Sequence, residues 1–299
     1  MASEERDDEN EQQDTEPEDA FALIGNATRA DILRVLGAAA YDELSFSELR
    51  SRSSDDIDSA QFNYHLQQLV GQFVEHTEAG YQIRPAGMDL YRAIRAGTFN
   101  RRATLAPFDA GFDCHYCSHP VEASYDRGMF KIACPDCDHV YSFTRAPPSA
   151  VEDATEEELL SRVDQYNRHQ RFAMVRGVCP YCVNEVATEF VSSEEMWLDG
   201  ADHLDLFAEF GCDYCGYHYY ASIGGVALHD PTVIAFLETH GVDVATKPHW
   251  EYEFATTDRT LTVRSRNPWE FGLSVSLDEV TVEFVIDEQL TVVETNEVT

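Results

Sequence analysis

FDCHYCSHPVEASYDRGMFKIACPDCDHVYSF, residues 112–143, decides how this chain is read. It holds two Cys-x-x-Cys pairs, Cys114/Cys117 and Cys134/Cys137, with sixteen residues between them. Further along stand Cys179/Cys182 and, after 29 residues, Cys212/Cys215. These are all eight cysteines of the 299-residue chain, and none is left over. Two pairs make one tetrahedral four-thiolate site, so the arithmetic gives two zinc ions per chain, both structural. Four thiolates fill the coordination shell, which leaves no open position for a substrate. The expected protein is therefore not a zinc enzyme. A thioredoxin-like redox motif would need one pair in a βαβ context, and none is visible.

Each pair forms a tight knuckle whose backbone amides stabilise the thiolates, and a hairpin brings two knuckles around one ion. This spacing resembles a zinc ribbon. The second set keeps the knuckles and lengthens the hairpin with an insert carrying Trp197 and Leu204 to Phe207. Zinc deaminases pair His-x-Glu with a Pro before the Cys-x-x-Cys. Here His76-Thr77-Glu78 lies far upstream, and Ala133 and Val178 precede the pairs, which excludes that reading. His115, His119, His139 and His218 lie near the cysteines, so a set of three cysteines and one histidine stays open at this point.

The net charge is −34, and only two of the 21 basic residues are lysines, Lys131 and Lys247. Acid in such excess, spread over every segment, resembles the proteins of salt-in halophiles. No N-terminal run is apolar enough for a signal peptide, and no stretch approaches a membrane span, so no membrane partner is expected. A cytoplasmic location follows, and a reducing cytosol favours metal over disulfides for these pairs.

Residues 1–18 carry nine acids and Arg6 and read as a disordered acidic tail. Residues 19–105 hold eleven acids and nine arginines, so this segment is near neutral in a very acidic chain. Relative positive charge is what a phosphate-facing surface needs. Apolar residues fall at helical spacing from Phe21 to Leu36, with an interruption at Gly25-Asn26. Ser45 caps a short second helix, and Asp58 caps a third running from about Ser59 to Val74. In the third, Phe62, Leu66, Leu69 and Phe73 make one buried stripe. A small hairpin ends at Arg84, and Met88, Leu90, Tyr91 and Ile94 mark a last helix.

Leu23 to Leu36 (LIGNATRADILRVL) resembles the first-helix signature of the ArsR-like winged helices, and Ser59 to Leu69 (SAQFNYHLQQL) resembles their recognition helix. The resemblance covers residues 20–97. It implies that the third helix enters the major groove of double-stranded DNA, that the hairpin is a wing, and that two copies pair as a homodimer. With Ser59 at its start, the outward face of that helix offers Gln61, Asn63, Tyr64, Gln67 and Gln68. Asn and Gln can read adenine edges bidentately, and Arg84 at the wing base can meet phosphate. Asp55, Asp56 and Asp58 beside the helix oppose phosphate, an effect that molar salt screens. Metal-sensing relatives carry cysteines or histidines on this scaffold. Residues 19–105 have no cysteine and only His65 and His76, which argues against a sensor of that kind. A winged helix joined to zinc ribbons also resembles factors that bind the transcription machinery.

Downstream, residues 106–147 form the first module, 148–176 a linking helix, 177–225 the second module and 226–245 a short helix opened by Asp230-Pro231. From Trp250 the tail alternates: Trp250, Tyr252 and Phe254 share one face, as do Phe271, Leu273 and Val275. Residues 246–299 therefore read as an antiparallel meander with one buried face. The expected fold class is α+β multidomain: a winged helix-turn-helix, two zinc-ribbon-like modules and a C-terminal antiparallel β meander.

Overall fold

The computed structural model describes residues 16–54, 57–152, 154–195 and 203–298. Residues 1–15 of the expected tail, Asp55 and Asp56, and Trp197 lie outside the described residues. The fold is mixed α+β, with several antiparallel sheets, and divides into two compact units, residues 1–100 and 101–299.

In the first unit, α1 spans Pro17–Ile24, with Pro17 at its start and Glu18 and Asp19 in its first turn. Pro17 and Glu18 therefore belong to a helix, not to the tail, because proline is pre-shaped for the first helical position and acids there complement the helix dipole. Asn26 accepts from the Arg29 amide and starts α2, Ala27–Ala38. A capping box of Ser45 and Glu48 opens α3, Phe46–Arg52. Asp58 accepts from the Ala60 and Gln61 amides and opens α4, Ser59–Leu69. The antiparallel hairpin β1 (Val74–His76) and β2 (Tyr81–Ile83) follows, then α5, Pro85–Ala96.

The third helix ends five residues earlier than its stripe suggested. Val70 is extended and Gly71 has a φ of 95°, which breaks the helix. Phe73 still reaches the core, but from the turn. Ile32, Leu33, Leu36, Leu49, Phe62 and Leu66 form that core and are essentially inaccessible. Asp31 stitches α2 to the segment after α3, accepting from the Ser53 hydroxyl (2.5 Å) and the Ser54 amide (2.8 Å).

The expected boundary at 105 falls inside the first strand of the second unit. Here β3 (Thr104–Asp113), β4 (Pro120–Asp126), β5 (Met129–Ala133) and β6 (Val140–Arg145) pair in chain order as one antiparallel sheet. The long helix α6, Glu156–Val175, is opened by a capping box of Thr155 and Glu158. Then come β7 (Ala187–Ser192), β8 (Leu206–Cys212) and β9 (Tyr217–Ala221) as a second sheet. Two short helices, α7 (Ile223–Ala227) and α8 (Pro231–Thr239), precede a 3-10 turn at His249–Glu251 and α9, Glu253–Thr256. Strands β10 (Leu261–Arg266), β11 (Trp269–Leu277), β12 (Val280–Asp287) and β13 (Val292–Val298) form the terminal meander.

One expectation for this unit needs correction, and two are refined. Trp250, Tyr252 and Phe254 do not share a strand face; they lie on the 3-10 turn and α9. The cause is tertiary: α7 packs so closely on α9 that a Cβ at Gly224 would sit 1.8 Å from the Phe254 carbonyl oxygen. Second, α6, expected as a linking helix, also carries a polar interior. Tyr166 and Phe172 are exposed, whereas Asp164, Asn167, Gln170 and Arg171 are buried. Third, each module shares its core with later parts of the chain. Leu159, Val163 and Trp250 join the core of the first sheet, while Met174, Phe210, Val226, Phe271 and Phe284 belong to one shared core.

Candidate functional site

Each Cys-x-x-Cys closes the same local turn. The Cys114 amide donates to the His119 carbonyl (2.8 Å), and the Ser118 amide donates back to Cys114 (2.9 Å). Cys134 repeats this with His139 and Asp138, and Cys179 with Asn184 and Val183. At Cys212, Gly216 donates back in the same way. The residue after each second cysteine is left-handed: Ser118, Asp138, Val183 and Gly216 have φ of 61°, 62°, 64° and 71°.

Hairpin pairing then brings the knuckles together in twos. Cys114, Cys117, Cys134 and Cys137 form one group, and Cys179, Cys182, Cys212 and Cys215 the other. Within each group all sulfurs lie within 4.8 Å of one another, and all eight cysteines are free thiols. Cys114 to Cys137 is 3.6 Å, Cys117 to Cys134 3.4 Å, Cys179 to Cys215 3.6 Å and Cys182 to Cys212 3.5 Å. A tetrahedral ion with bonds of about 2.3 Å separates its sulfurs by about 3.8 Å. The donor set and spacing therefore fit two metal sites and are compatible with zinc.

Electrostatics point the same way. Burial pushes the Cys114 thiol up, but the Tyr141 hydroxyl and the Cys117 and Tyr116 amides bring it down to about 6. The Asn184 amide draws Cys182 down to about 6, helped by the Asn184 side chain. Their partners move the other way. The His119 amide favours the Cys117 thiolate, yet burial and the surrounding sulfurs push it to about 12. Burial and the neighbouring sulfurs push Cys215 to about 12 as well. One thiolate per set is cheap and the next is costly, so a fully deprotonated set needs a cation at its centre.

Of the nearby histidines, none joins either group among the described residues. His115 contacts the Thr256 hydroxyl (2.9 Å), His119 the Pro120 carbonyl (3.0 Å) and His218 the Glu209 carboxylate (2.8 Å). His139 is buried among aromatic rings, with both ring nitrogens lacking partners. Two contributors escaped the sequence reading. Tyr141, counted as a strand aromatic, donates its hydroxyl to Cys114 Sγ (3.3 Å) and accepts from the His115 amide (2.8 Å). His203, from the insert of the second module, donates Nε2–H to the Cys137 carbonyl (2.7 Å). No spacing in the sequence signals a contact across 66 residues.

On the first unit, α4 buries Phe62, Leu66 and Leu69 and leaves Ser59, Gln61, Asn63, Tyr64, Gln67 and Gln68 exposed. Tyr64 is 59% exposed, and Gln67 donates to the Tyr81 hydroxyl across 3.3 Å. Arg84 is exposed, but its guanidinium donates to the Gly71 carbonyl and ties down the turn after α4. Other arginines of this segment also have internal partners: Arg29 holds the Leu23 and Ala22 carbonyls, and Arg34 pairs with Asp31. Part of the arginine enrichment is thus structural.

Among the described residues no helix is long and apolar enough to cross a membrane. No curated protein and no solved structure matches the chain. Residues 17–94 match a family described as a domain of unknown function (DUF7347). Residues 111–292, more than half of the chain and spanning both four-cysteine groups, match another domain of unknown function (DUF7351), and the chain belongs to that family.

Proposed function

We propose that the chain is a DNA-binding transcription regulator: an ArsR-like winged helix within residues 19–105, carried with two structural zinc sites in zinc-ribbon-like modules. The observation that carries this reading is the face of α4. A short helix held by three apolar residues turns six polar residues outward, and several of them suit adenine edges. In this reading α4 is the recognition helix and β1–β2 the wing. Zinc bound by each cysteine set neutralises the thiolates and locks two hairpin ends together; it has no catalytic part. Phe21 on α1 is 69% exposed, and Leu90 and Ile94 on α5 are half-buried, which supports a homodimer through these helices. The acidic surface supports a cytoplasm of high salt.

A second reading, a protein-interaction factor of the transcription machinery, is favoured by one observation: Tyr181, Val183 and Tyr214 at the second cysteine set are each 78% exposed. The two readings part in one experiment. Sequence selection from random duplexes at molar potassium chloride should enrich a discrete, two-fold motif. The Asn63→Ala/Gln67→Ala double variant should lose that motif while retaining weak binding to any duplex, because base contacts specify and phosphate contacts position. No enrichment by the intact protein would favour the second reading.

A further inference from the structure

Beside α6 lies a cavity of ≈ 530 Å³, within the size range of small-molecule sites. Its walls include Arg171 and Phe172 of α6, Leu228 and His229 after α7, Ile234 of α8, and Val244. Phe172, Leu228, Ile234, Val244 and Ala245 give it an apolar side, and Gln165, Arg168, His169, Arg171, His229, Glu238 and His249 a polar one.

Arg171 is only 5% exposed. Its Nε donates to the Tyr219 hydroxyl at 3.0 Å, but its Nη1 is buried without a hydrogen-bond partner. Among the described residues no carboxylate pairs with it. Asp164, the buried carboxylate of the same helix, is already committed: it accepts from Arg168 Nε (2.6 Å) and from both the amide (3.0 Å) and Nδ1 (3.0 Å) of His249. Arg168 in turn spends its remaining donors on the Val244 and Lys247 carbonyls. Glu238, at the rim, accepts from the Val244 amide at 3.1 Å. His229 also lines the cavity, and its Nε2 is buried without a partner. Burial holds His229 down to about 3, so the ring is neutral.

Two residues of the lining, Arg171 and His229, thus each keep one buried nitrogen without a hydrogen-bond partner, and among the described residues no carboxylate pairs with the Arg171 guanidinium, which lies over the Tyr219 ring. A buried cation with no counter-charge is costly, and a buried polar nitrogen with no partner adds to that cost. A single negative charge with two acceptor oxygens answers both. With Arg168 already paired to Asp164 and the Glu238 carboxylate at the rim, a phosphate dianion brings more negative charge than Arg171 can balance, and the side formed by Phe172, Leu228, Ile234, Val244 and Ala245 suits an apolar body. We propose that this cavity binds a small monocarboxylate with a hydrophobic body, held through Arg171 and His229. The site lies wholly within residues 101–299 and does not rest on the DNA reading; a chain that binds no DNA would keep it.

The test is calorimetric titration of the full-length, metal-loaded protein at molar potassium chloride, with phenylacetate and decanoate as probes and phenylacetamide as the neutral control. At least one carboxylate should bind saturably, one per chain, at or below millimolar concentration. The amide should bind at least ten-fold more weakly. Arg171→Gln should lose ten- to a hundred-fold in affinity, in line with a charge-assisted hydrogen bond. Because Arg171 is buried, Ile234→Trp serves as the second variant: it fills the half-exposed mouth, leaves the charges intact and should abolish binding while melting and metal content stay unchanged. Overturning results are no saturable heat with either carboxylate, equal binding of the amide, or full affinity in Ile234→Trp. Stabilisation by chloride over sulfate, with no response to the carboxylates, would mean that an inorganic ion fills the site and would overturn it too.

Discussion

The two four-cysteine groups share one knuckle and differ in their coat. In both, the first cysteine of each pair is buried, and one cysteine of the set is exposed. Around the first group the chain closes in. Tyr116 packs on His139 and His203, donates its hydroxyl to the His203 carbonyl (2.6 Å), and leaves Tyr141 in contact with Cys114. Around the second, Tyr181, Val183 and Tyr214 face solvent. The long insert between β7 and β8 explains the asymmetry. It belongs to the second module by sequence, yet His203 seats on the first. The knuckle sets where the sulfurs point; the rest of the chain sets who can reach them.

The most disruptive way to test this contrast is to remove one sulfur from each group. Cys134→Ser and Cys212→Ser should each lower the metal content from two ions to one per chain. Each should also lose the metal-linked stabilisation of its own knuckles, on the order of 10 kcal/mol, read as a lower onset of melting while the other site keeps its ion. With a chromogenic chelator, the intact protein should release metal in two phases, the fast one from the second group. Cys212→Ser should keep only the slow phase and Cys134→Ser only the fast one. A single phase from the intact protein would break the comparison.

A gentler change targets the coat alone. Tyr141→Phe removes a hydroxyl that donates to Cys114 Sγ and accepts from the His115 amide, both buried or half-buried. The unmet amide and the weaker thiolate should cost about 1–3 kcal/mol. The slow chelation phase should accelerate while the fast phase stays unchanged. Acceleration of both would mean that the two groups unfold as one unit.

How much of this was legible follows from how local each feature is. The cysteine sets, the Asn26, Ser45, Asp58 and Asp230 caps and the strands of the meander depend on residues a few positions apart, and sequence carries them. Strand β4 was not singled out from the sequence, although Val121, Ala123 and Tyr125 alternate with Glu122 and Ser124 and the Arg127-Gly128 turn ends it. The alternation of Trp250, Tyr252 and Phe254 suits a strand, and only packing against Gly224 turns it into helix. The polar interior of α6 was hidden for the opposite reason. Asp164 is buried because His249 and Arg168 satisfy it, and His249 lies 85 positions away. The face of α4 was readable as exposed, but the tie between Arg84 and Gly71 was not.

Protonation offers a finer probe of the insert. Burial raises Asp258 to about 6, while its Oδ2 accepts from the Asp205 amide (2.5 Å) beside His203. A carboxyl raised on folding favours its protonated form in the native state. Its contribution is fully present below about pH 4 and is lost as pH climbs through about 6. Asp258→Asn keeps the acceptor and removes the charge. The variant should gain on the order of 2–4 °C in melting temperature at pH 7 and nothing below about pH 4, and its slow chelation phase should lengthen at neutral pH only. A gain that is equal at both pH values would assign the effect to packing.

The smallest expected effect lies in the knuckles themselves. The left-handed position is held by Ser118 and Asp138 in the first group, and by Val183 and Gly216 in the second. Short polar residues tolerate that backbone and glycine fits it freely, but a β-branched side chain is its least suitable occupant. Val183 is 78% exposed, so no buried contact offsets the strain. Val183→Gly should relieve about 1–2 kcal/mol of left-handed strain and lose about 0.5–1 kcal/mol to the freer unfolded chain. The net is a gain of about 0.5–1 kcal/mol, visible as a slower fast phase of metal release. The reverse change, Gly216→Val, should lose about 0.5–1 kcal/mol net, since nothing lies within 4 Å of the added Cβ and left-handed strain is offset only by the stiffer unfolded chain. If Gly216→Val destabilises but Val183→Gly does so as well, Val183 is held in place by a contact that strain does not account for. The exposed surface of the second group would then be an interface, and the difference between the two coats would belong to the assembled protein.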